Sequence, residues 1–179
     1  FIDYGHELGM RVFGSLNVFA GGHNYFERGI IYGEKAHWQS ICYEKGKLVP
    51  ISSIKTNYNG MMNPSNPEMQ QYQIDILKEF VTKYPELDGL IFDRVRYDGI
   101  TSDFSELSKT QFEEYAGVVI ENFPEDILSW YDEDGKLRDT WVPGKYGKKW
   151  IEWRASVIHD FVAKTHEALK EINPDLIIG

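Results

Sequence analysis

The residue best placed for chemistry is Asp93, which ends the short, mostly apolar segment 87–93 and is followed at once by charge. A carboxylate at the C-terminal end of a parallel strand lies on the rim where α/β proteins build their active sites, and this position suits a nucleophile. Arg94, Arg96 and Asp98 follow within five residues. An arginine this close would hold and orient the Asp93 carboxylate, although a purely structural ion pair explains the same spacing equally well.

Two predicted strands and a helix position this rim. Met10–Ala20 is a continuous apolar run rich in Val and Phe, and it predicts a strand buried on both faces, as is typical of a parallel sheet. From Pro67 to Tyr84 the apolar residues recur at helical spacing, with Asn66 as a suitable N-cap. Segment 87–93 then predicts the second strand.

The rest of the chain continues this alternation. Helical spacing predicts a short helix over 107–122 and a long one over 149–172, and residues 175–179 have the pattern of a third strand. Such a run of β/α units predicts a parallel sheet. Two long insertions, at about 21–64 and 98–147, follow strand ends; the first contains 41–43 and 48–50, which we expect to pair as a hairpin. Connections of this length usually carry function.

Composition limits the possible classes of protein. The chain has 179 residues, 42% of them hydrophobic, which suffices for one compact core, so we treat 1–179 as a single domain. An eight-stranded barrel takes about 250 residues, so a barrel pattern here would be part of one. A net charge of −9 makes nucleic acid an unfavourable partner. No apolar run approaches the roughly 20 residues that span a bilayer.

The metal-binding residue types are sparse. Cys42 is the single cysteine, which excludes an internal disulfide and a zinc cluster built on cysteines, and its apolar neighbours predict a small buried hydrophobe. The five histidines are scattered without the spacing of a metal site. We expect neither a metal nor a cofactor.

Three segments carry a resemblance to a known family. NPSNPE at 63–68, LDGLIFDRVRY at 87–97 and WIEWR at 150–154 resemble the pattern of the glycosyl-hydrolase-like family 10 proteins and their barrel relatives. The similarity covers nearly the whole chain. It implies an α/β fold that forms part of a TIM (β/α)8 barrel, with Met10–Val18, Leu90–Asp93 and Leu176–Gly179 as about strands three to five.

The resemblance also implies catalytic roles. Asp93 would be the catalytic carboxylate of a glycoside hydrolase, with Arg96 as its orienting partner. Glycoside hydrolysis uses two carboxylates, about 5 Å apart in retaining enzymes and about 6.5–9.5 Å apart in inverting ones. The resemblance places the second on a later strand, since Asp98 and Asp103 are better explained as turn residues. Relatives often carry another acidic residue where this chain has Arg94, which leaves the catalytic arrangement open.

Five residues of the same rim and its loops are candidates for binding a carbohydrate substrate: Asn17, His23, Trp38, Tyr97 and Asp98. Amide, imidazole and carboxylate groups hydrogen-bond sugar hydroxyls, and flat aromatic faces stack on sugar rings. Simpler explanations remain for each, because Asn17 could cap a turn, His23 could face solvent, and most loop aromatics pack their own loops.

The leading interpretation is a glycosidase that hydrolyses a poly- or oligosaccharide, and the resemblance favours a secreted or periplasmic location. A non-catalytic carbohydrate-binding barrel is the alternative, and an acidic residue on a later strand would discriminate the two. An open-sheet domain that binds a phosphorylated ligand is disfavoured, because neither β-to-α turn has a glycine-rich phosphate loop. The sugar, its linkage and the oligomeric state stay open.

Overall fold

A computed structural model describes residues 1–179. The four α-helices are α1 (Ile2–Glu7), α2 (Pro67–Lys83), α3 (Glu106–Ala116) and α4 (Gly147–Lys170). The ten strands are β1 (Phe13–Asn17), β2 (Ala20–His23), β3 (Arg28–Gly29), β4 (Ile41–Glu44), β5 (Lys47–Pro50), β6 (Asn59–Met61), β7 (Gly89–Asp93), β8 (Leu128–Tyr131), β9 (Leu137–Pro143) and β10 (Ile177–Ile178). None of the helices has the length and apolarity needed to cross a membrane.

The centre of the fold is a three-stranded parallel sheet in the order β1-β7-β10. Helix α2 connects the first two strands, and α3 and α4 lie between the second and third. Sequential parallel strands joined by helices confirm the predicted β/α alternation. Three strands do not close a barrel, so the barrel stays a prediction.

The ends of the helices follow from local chemistry. The Asn66 side chain accepts the Met69 N–H at 3.1 Å, and Pro67 is the first residue of α2, so the predicted N-terminus is confirmed. Helix α3 stops at Ala116 rather than continuing to 122, because Gly117 takes a left-handed φ of 66° and ends it.

Strand β1 departs from the prediction. It is shorter than Met10–Ala20, and its residues alternate in burial instead of being buried on both faces. Leu16 packs against the main core beneath the helices, whereas Phe13 is 40% exposed and Ile91 of β7 is 44% exposed. The helices cover one face of the sheet and leave the other open, so an apolar run that predicts double burial has one side exposed here.

The two insertions fold against each other. In the first, β4 and β5 form the predicted hairpin, with Lys45 and Gly46 at positive φ in the turn. Its Tyr43 N–H donates to the Thr101 carbonyl of the second insertion at 2.7 Å. A second core packs beneath this junction, formed by Tyr43, Phe104, Phe112, Ile120, Ile127, Leu128, Trp130, Trp150 and Trp153. The insertions are therefore ordered parts of the domain.

Candidate functional site

The candidate site lies at the C-terminal edge of the central sheet. Asn17 and Asp93 end neighbouring strands and are paired in register. The chain continues from there with the Val18 N–H donating to the Asp93 carbonyl at 2.9 Å. The Asp93 side chain is 55% exposed, and Asn17 is exposed beside it. Two predicted site residues thus lie side by side on the open edge.

Arg94, rather than Arg96, is the cation nearest to Asp93. The Arg94 Nε lies 3.9 Å from the Asp93 Oδ2, while no ion pair within 4.0 Å joins Arg96 to Asp93. Arg94 has a left-handed φ of 59°, an uncommon conformation for a residue with a side chain, and this turns the chain sharply at the strand end. Arg94 therefore occupies the position beside Asp93 that was predicted for Arg96, and an orienting role for Arg96 stays a prediction.

Asp98 connects the loop after β7 to the first insertion. The Asn57 Nδ2 donates a hydrogen bond to the Asp98 carboxylate, which is half-buried. Burial raises the pKa of Asp98 above its usual value, while the Asn57 bond and the charges of Arg96 and Arg94 oppose this. Arg94 thus lies beside Asp93 and affects Asp98 through its charge, while Asn57 bonds the Asp98 carboxylate directly.

Tyr97 supports the loop from below. Its ring is buried, and the Arg154 guanidinium lies 4.0 Å from the ring centroid. Arg154 also donates to the carbonyl oxygens of Gly99 at 2.6 Å and Ile100 at 3.3 Å. Burial lowers the pKa of Arg154 to about 10. Tyr97 is thereby enclosed by protein, and its predicted contact with substrate stays a prediction.

Sequence reasoning missed Arg154 as a member of the site. It is 8% exposed and has no carboxylate within 4.0 Å, so its charge is held by backbone carbonyls and an aromatic face. Buried guanidinium groups are expensive unless their hydrogen bonds are satisfied. The WIEWR segment at 150–154 gave no local signal for this role, because Arg154 reaches the loop through a tertiary contact.

His23 and Trp38 have different environments. His23 is half-buried and lines, together with Asn17, a cavity of about 590 Å³ between β1, β2 and α2. Trp38 is fully buried, and its indole N–H donates to the Glu68 Oε2 at 3.0 Å. With no exposed ring face, Trp38 packs the first insertion against α2, which does not fit the predicted stacking on a sugar.

Asp103 is a structural carboxylate. It is fully buried and accepts the Ile41 N–H at 2.5 Å, the Ser108 hydroxyl at 2.7 Å, and both the N–H and the hydroxyl of Ser105. Ser105 in turn caps α3. Asp103 thus joins the first insertion to the start of α3, as a more extensive anchor than the turn residue predicted for it.

The chemistry available at the edge is that of one exposed carboxylate beside a cation and an amide. Cys42 is 2% exposed, and burial raises the pKa of its thiol to about 12, so it is the buried hydrophobe predicted. No group of three or more His, Cys, Asp or Glu side chains is close enough to hold a metal ion. Asp93 is therefore the acidic group most open to a ligand at this edge.

Comparisons with known proteins concern the family and the fold of the chain. Residues 2–179 match the family described as Glycosyl hydrolase-like 10. The chain is 28% identical over 182 residues to an S-layer-related protein of Niallia circulans, and this match covers 98% of the chain and 11% of that protein. The fold is similar to that of a beta-galactosidase from Bacillus circulans sp. alkalophilus, with a TM-score of 0.57 and 9% identity, covering 99% of the chain and 33% of that protein. The chain thus spans about a ninth of one protein and a third of the other.

Proposed function

From the premise that the chain belongs to the glycosyl hydrolase-like 10 family, we propose that it supplies part of the active site of a glycosidase that hydrolyses O-glycosyl bonds in a poly- or oligosaccharide. Asp93 is the catalytic carboxylate in this proposal. Arg94 stabilises the negative charge of the Asp93 carboxylate, and Asn17 and His23 bind hydroxyl groups of the sugar. Arg96 acts on the same loop through Asp98.

The observation that carries the proposal is the position of Asp93 at the C-terminal end of a central parallel strand. This is the edge at which (β/α)-barrel enzymes place their catalytic groups. Its side chain is accessible, and its backbone is fixed by the Val18 N–H at 2.9 Å. A carboxylate at the end of a rigid strand is positioned more precisely than one on a loop.

A second carboxylate is required for glycoside hydrolysis. Asp98 is the first acidic residue after Asp93, but Asn57 bonds its carboxylate and the charges of Arg96 and Arg94 act on it. We therefore assign Asp98 to the support of the site and expect the second catalytic acid outside residues 1–179. A cell-surface or secreted location is proposed from the S-layer-related protein to which the chain is similar.

The test uses the full-length gene product and compares the wild type with Asp93→Asn. Release of reducing sugar is measured on soluble starch, hydroxyethyl cellulose, xylan, galactan and a bacterial cell-wall preparation. Loss of an essential catalytic group lowers the rate by about a thousandfold or more. Because Asp93 is exposed and its ion pair is long, the variant should keep the stability of the wild type within about 0.5 kcal/mol.

Glu106→Gln is the matched control, since it removes one exposed carboxylate from α3, away from the sheet edge. Equal activity of Asp93→Asn and the wild type would assign Asp93 to a structural ion pair. Binding of a polysaccharide without hydrolysis by the wild type would favour the second candidate function, a non-catalytic carbohydrate-binding barrel. The observation that favours this candidate is the single accessible carboxylate of this edge.

A further inference from the structure

Three large aromatic side chains are exposed together beside the candidate site. Tyr25 is 72% exposed, and Phe26 and Tyr58 are each 57% exposed. We call these three residues the aromatic platform. Isolated exposed aromatic residues are ordinary, but a contiguous group on one surface usually marks a binding site.

The rings of the platform are arranged around His23. The His23 ring lies 4.7 Å from the Phe26 ring and is stacked on the Tyr58 ring at 5.8 Å between centroids. Tyr25 meets Phe26 edge-to-face at 5.0 Å. A residue predicted from sequence to bind substrate is therefore at the centre of the platform, and it joins rings from two separate loops.

The platform is rigidly held from below. Asn24 is fully buried, and its side chain donates to the carbonyl oxygens of Ile51 at 2.8 Å and Asn57 at 2.7 Å. Lys55 and Glu27 form an ion pair of 2.7 Å between the same two loops. The exposed aromatic rings are thus carried by ordered loops. The protein would therefore lose little conformational freedom when a ligand binds.

Hydrogen-bonded and charged groups lead from the platform toward Asp93. The Asn57 carbonyl accepts a hydrogen bond from the Asn24 side chain, and the Asn57 side-chain N–H donates one to the Asp98 carboxylate. Asp98 is near enough to Arg96 and Arg94 for their charges to lower its pKa, and the Arg94 Nε lies 3.9 Å from the Asp93 Oδ2. On the other side, β2 leaves the end of β1 after two residues, 18 and 19, and ends at His23. The platform is therefore continuous with the candidate site and lies beyond the C-terminal edge of the sheet.

We propose that the aromatic platform binds a glycan chain by stacking on the apolar faces of sugar rings some distance from the bond that is cleaved. The inference rests on the proposed function and adds a substrate class to it, a glycan several sugars long. Aromatic side chains offer a flat apolar face to the C–H side of a sugar ring, and tyrosine adds a hydroxyl for its oxygen atoms. Rings on two loops suit an extended ligand, whereas a single small sugar would contact one ring.

The experiment compares the wild-type protein with the triple variant Tyr25→Ala/Phe26→Ala/Tyr58→Ala. Kinetics are measured on the polysaccharide of the panel that the wild type cleaves and on the p-nitrophenyl glycoside of the same sugar. We expect the KM for the polysaccharide to rise about tenfold or more, the effect of removing a buried aromatic contact from an interface. The rise should exceed that for the short glycoside at least about fivefold. Equal rises for both substrates would overturn the proposal.

Binding is measured separately from catalysis by affinity electrophoresis through gels that contain each polysaccharide. The Asp93→Asn variant should still be retarded. Retardation should be lost when the three alanine substitutions are combined with Asp93→Asn in one chain. Tyr115→Ala, which removes a 49% exposed tyrosine from α3, is the matched control and should be retarded like its parent. Near-ultraviolet circular dichroism is the control measurement that tests whether each variant is folded.

The outcomes separate the platform from the proposed function. Cleavage by the wild type with an unchanged polymer KM in the triple variant overturns the platform and leaves the glycosidase standing. Retardation that depends on the platform, without cleavage of any polysaccharide, supports the platform and rejects the glycosidase. Self-association of the wild type that the triple variant lacks, seen by sedimentation velocity, overturns the platform, because the rings would then bind a second copy.

Discussion

Replacing Asp103 by Asn should loosen the junction between the two insertions. Both oxygens of the Asp103 carboxylate are occupied, the first by the Ile41 N–H and the second by Ser105 and Ser108. Asn has the same shape but can offer only one acceptor oxygen. If that oxygen keeps the two serines, an NH2 group faces the Ile41 N–H, and two donors are opposed in a fully buried position.

The size of the effect follows from these contacts. Leaving the buried Ile41 N–H without an acceptor costs about 1–3 kcal/mol, and the bonds to the serines weaken from charged to neutral by about 1 kcal/mol each. Burial raises the pKa of Asp103, so the carboxylate itself carries a desolvation cost that Asn lacks, and this offsets part of the loss. We expect a net loss of about 2–3 kcal/mol, or roughly 30- to 150-fold in the local opening equilibrium.

Amide hydrogen exchange followed by mass spectrometry measures this equilibrium locally. Exchange should become faster in peptides that cover 39–44 and 101–110, while peptides from β7 and α2 keep their wild-type rates. Asp134→Asn, in the exposed turn between β8 and β9, is the matched control. Protection of both peptides within about threefold of the wild type would show that the carboxylate does not hold the junction, and the reasoning would fail.

Two further predictions concern charged anchors. The pKa of Glu68 is lowered from 4.5 to about 2, chiefly by its hydrogen bond with Lys35. The ionised carboxylate therefore stabilises the fold fully above pH 4.5, and this stabilisation is lost as the pH falls toward 2. In Glu68→Gln, acid unfolding followed by fluorescence should depend less on pH in that window. Arg154→Met should remove the guanidinium from the carbonyl of Gly99, which also accepts the Ser102 N–H. We expect exchange of the Ser102 amide to become about tenfold faster and kcat to fall more than KM changes, while wild-type exchange at Ser102 would contradict a supporting role of Arg154.

Much of the fold could be predicted from sequence because its signals are local. The cap at Asn66, the proline after it and the apolar spacing of α2 lie within one segment, and helix and prediction agree to within a residue. The hairpin of 41–50 was equally visible. The burial of β1 was not, because whether a strand is covered on one face or two depends on neighbours that its own residues do not specify.

For the candidate site, the positions of its residues in the fold were predictable from sequence and their contacts were less so. Asp93 and Asn17 were found because strand ends in a parallel sheet meet at one edge, which is a consequence of topology. The nearer cation is Arg94 because its left-handed φ turns the backbone there, and a single residue's φ is not encoded in spacing. Arg154 reaches the loop from 60 residues further along the chain than Arg94, a tertiary contact with no local pattern.

The sheet and the insertions make separate contributions to the candidate site. The backbone on either side of Asp93 is held by parallel pairing, since β7 is the central strand and bonds with both neighbours. The loop that follows the carboxylate is held from elsewhere: Asn57 from the first insertion bonds Asp98, and Arg154 from α4 bonds the carbonyl of Gly99. Changes in the insertions can therefore alter the charge around Asp93 while the strand keeps the carboxylate in place. Under the proposed function, we expect relatives with the same strand to differ in the glycans that they bind.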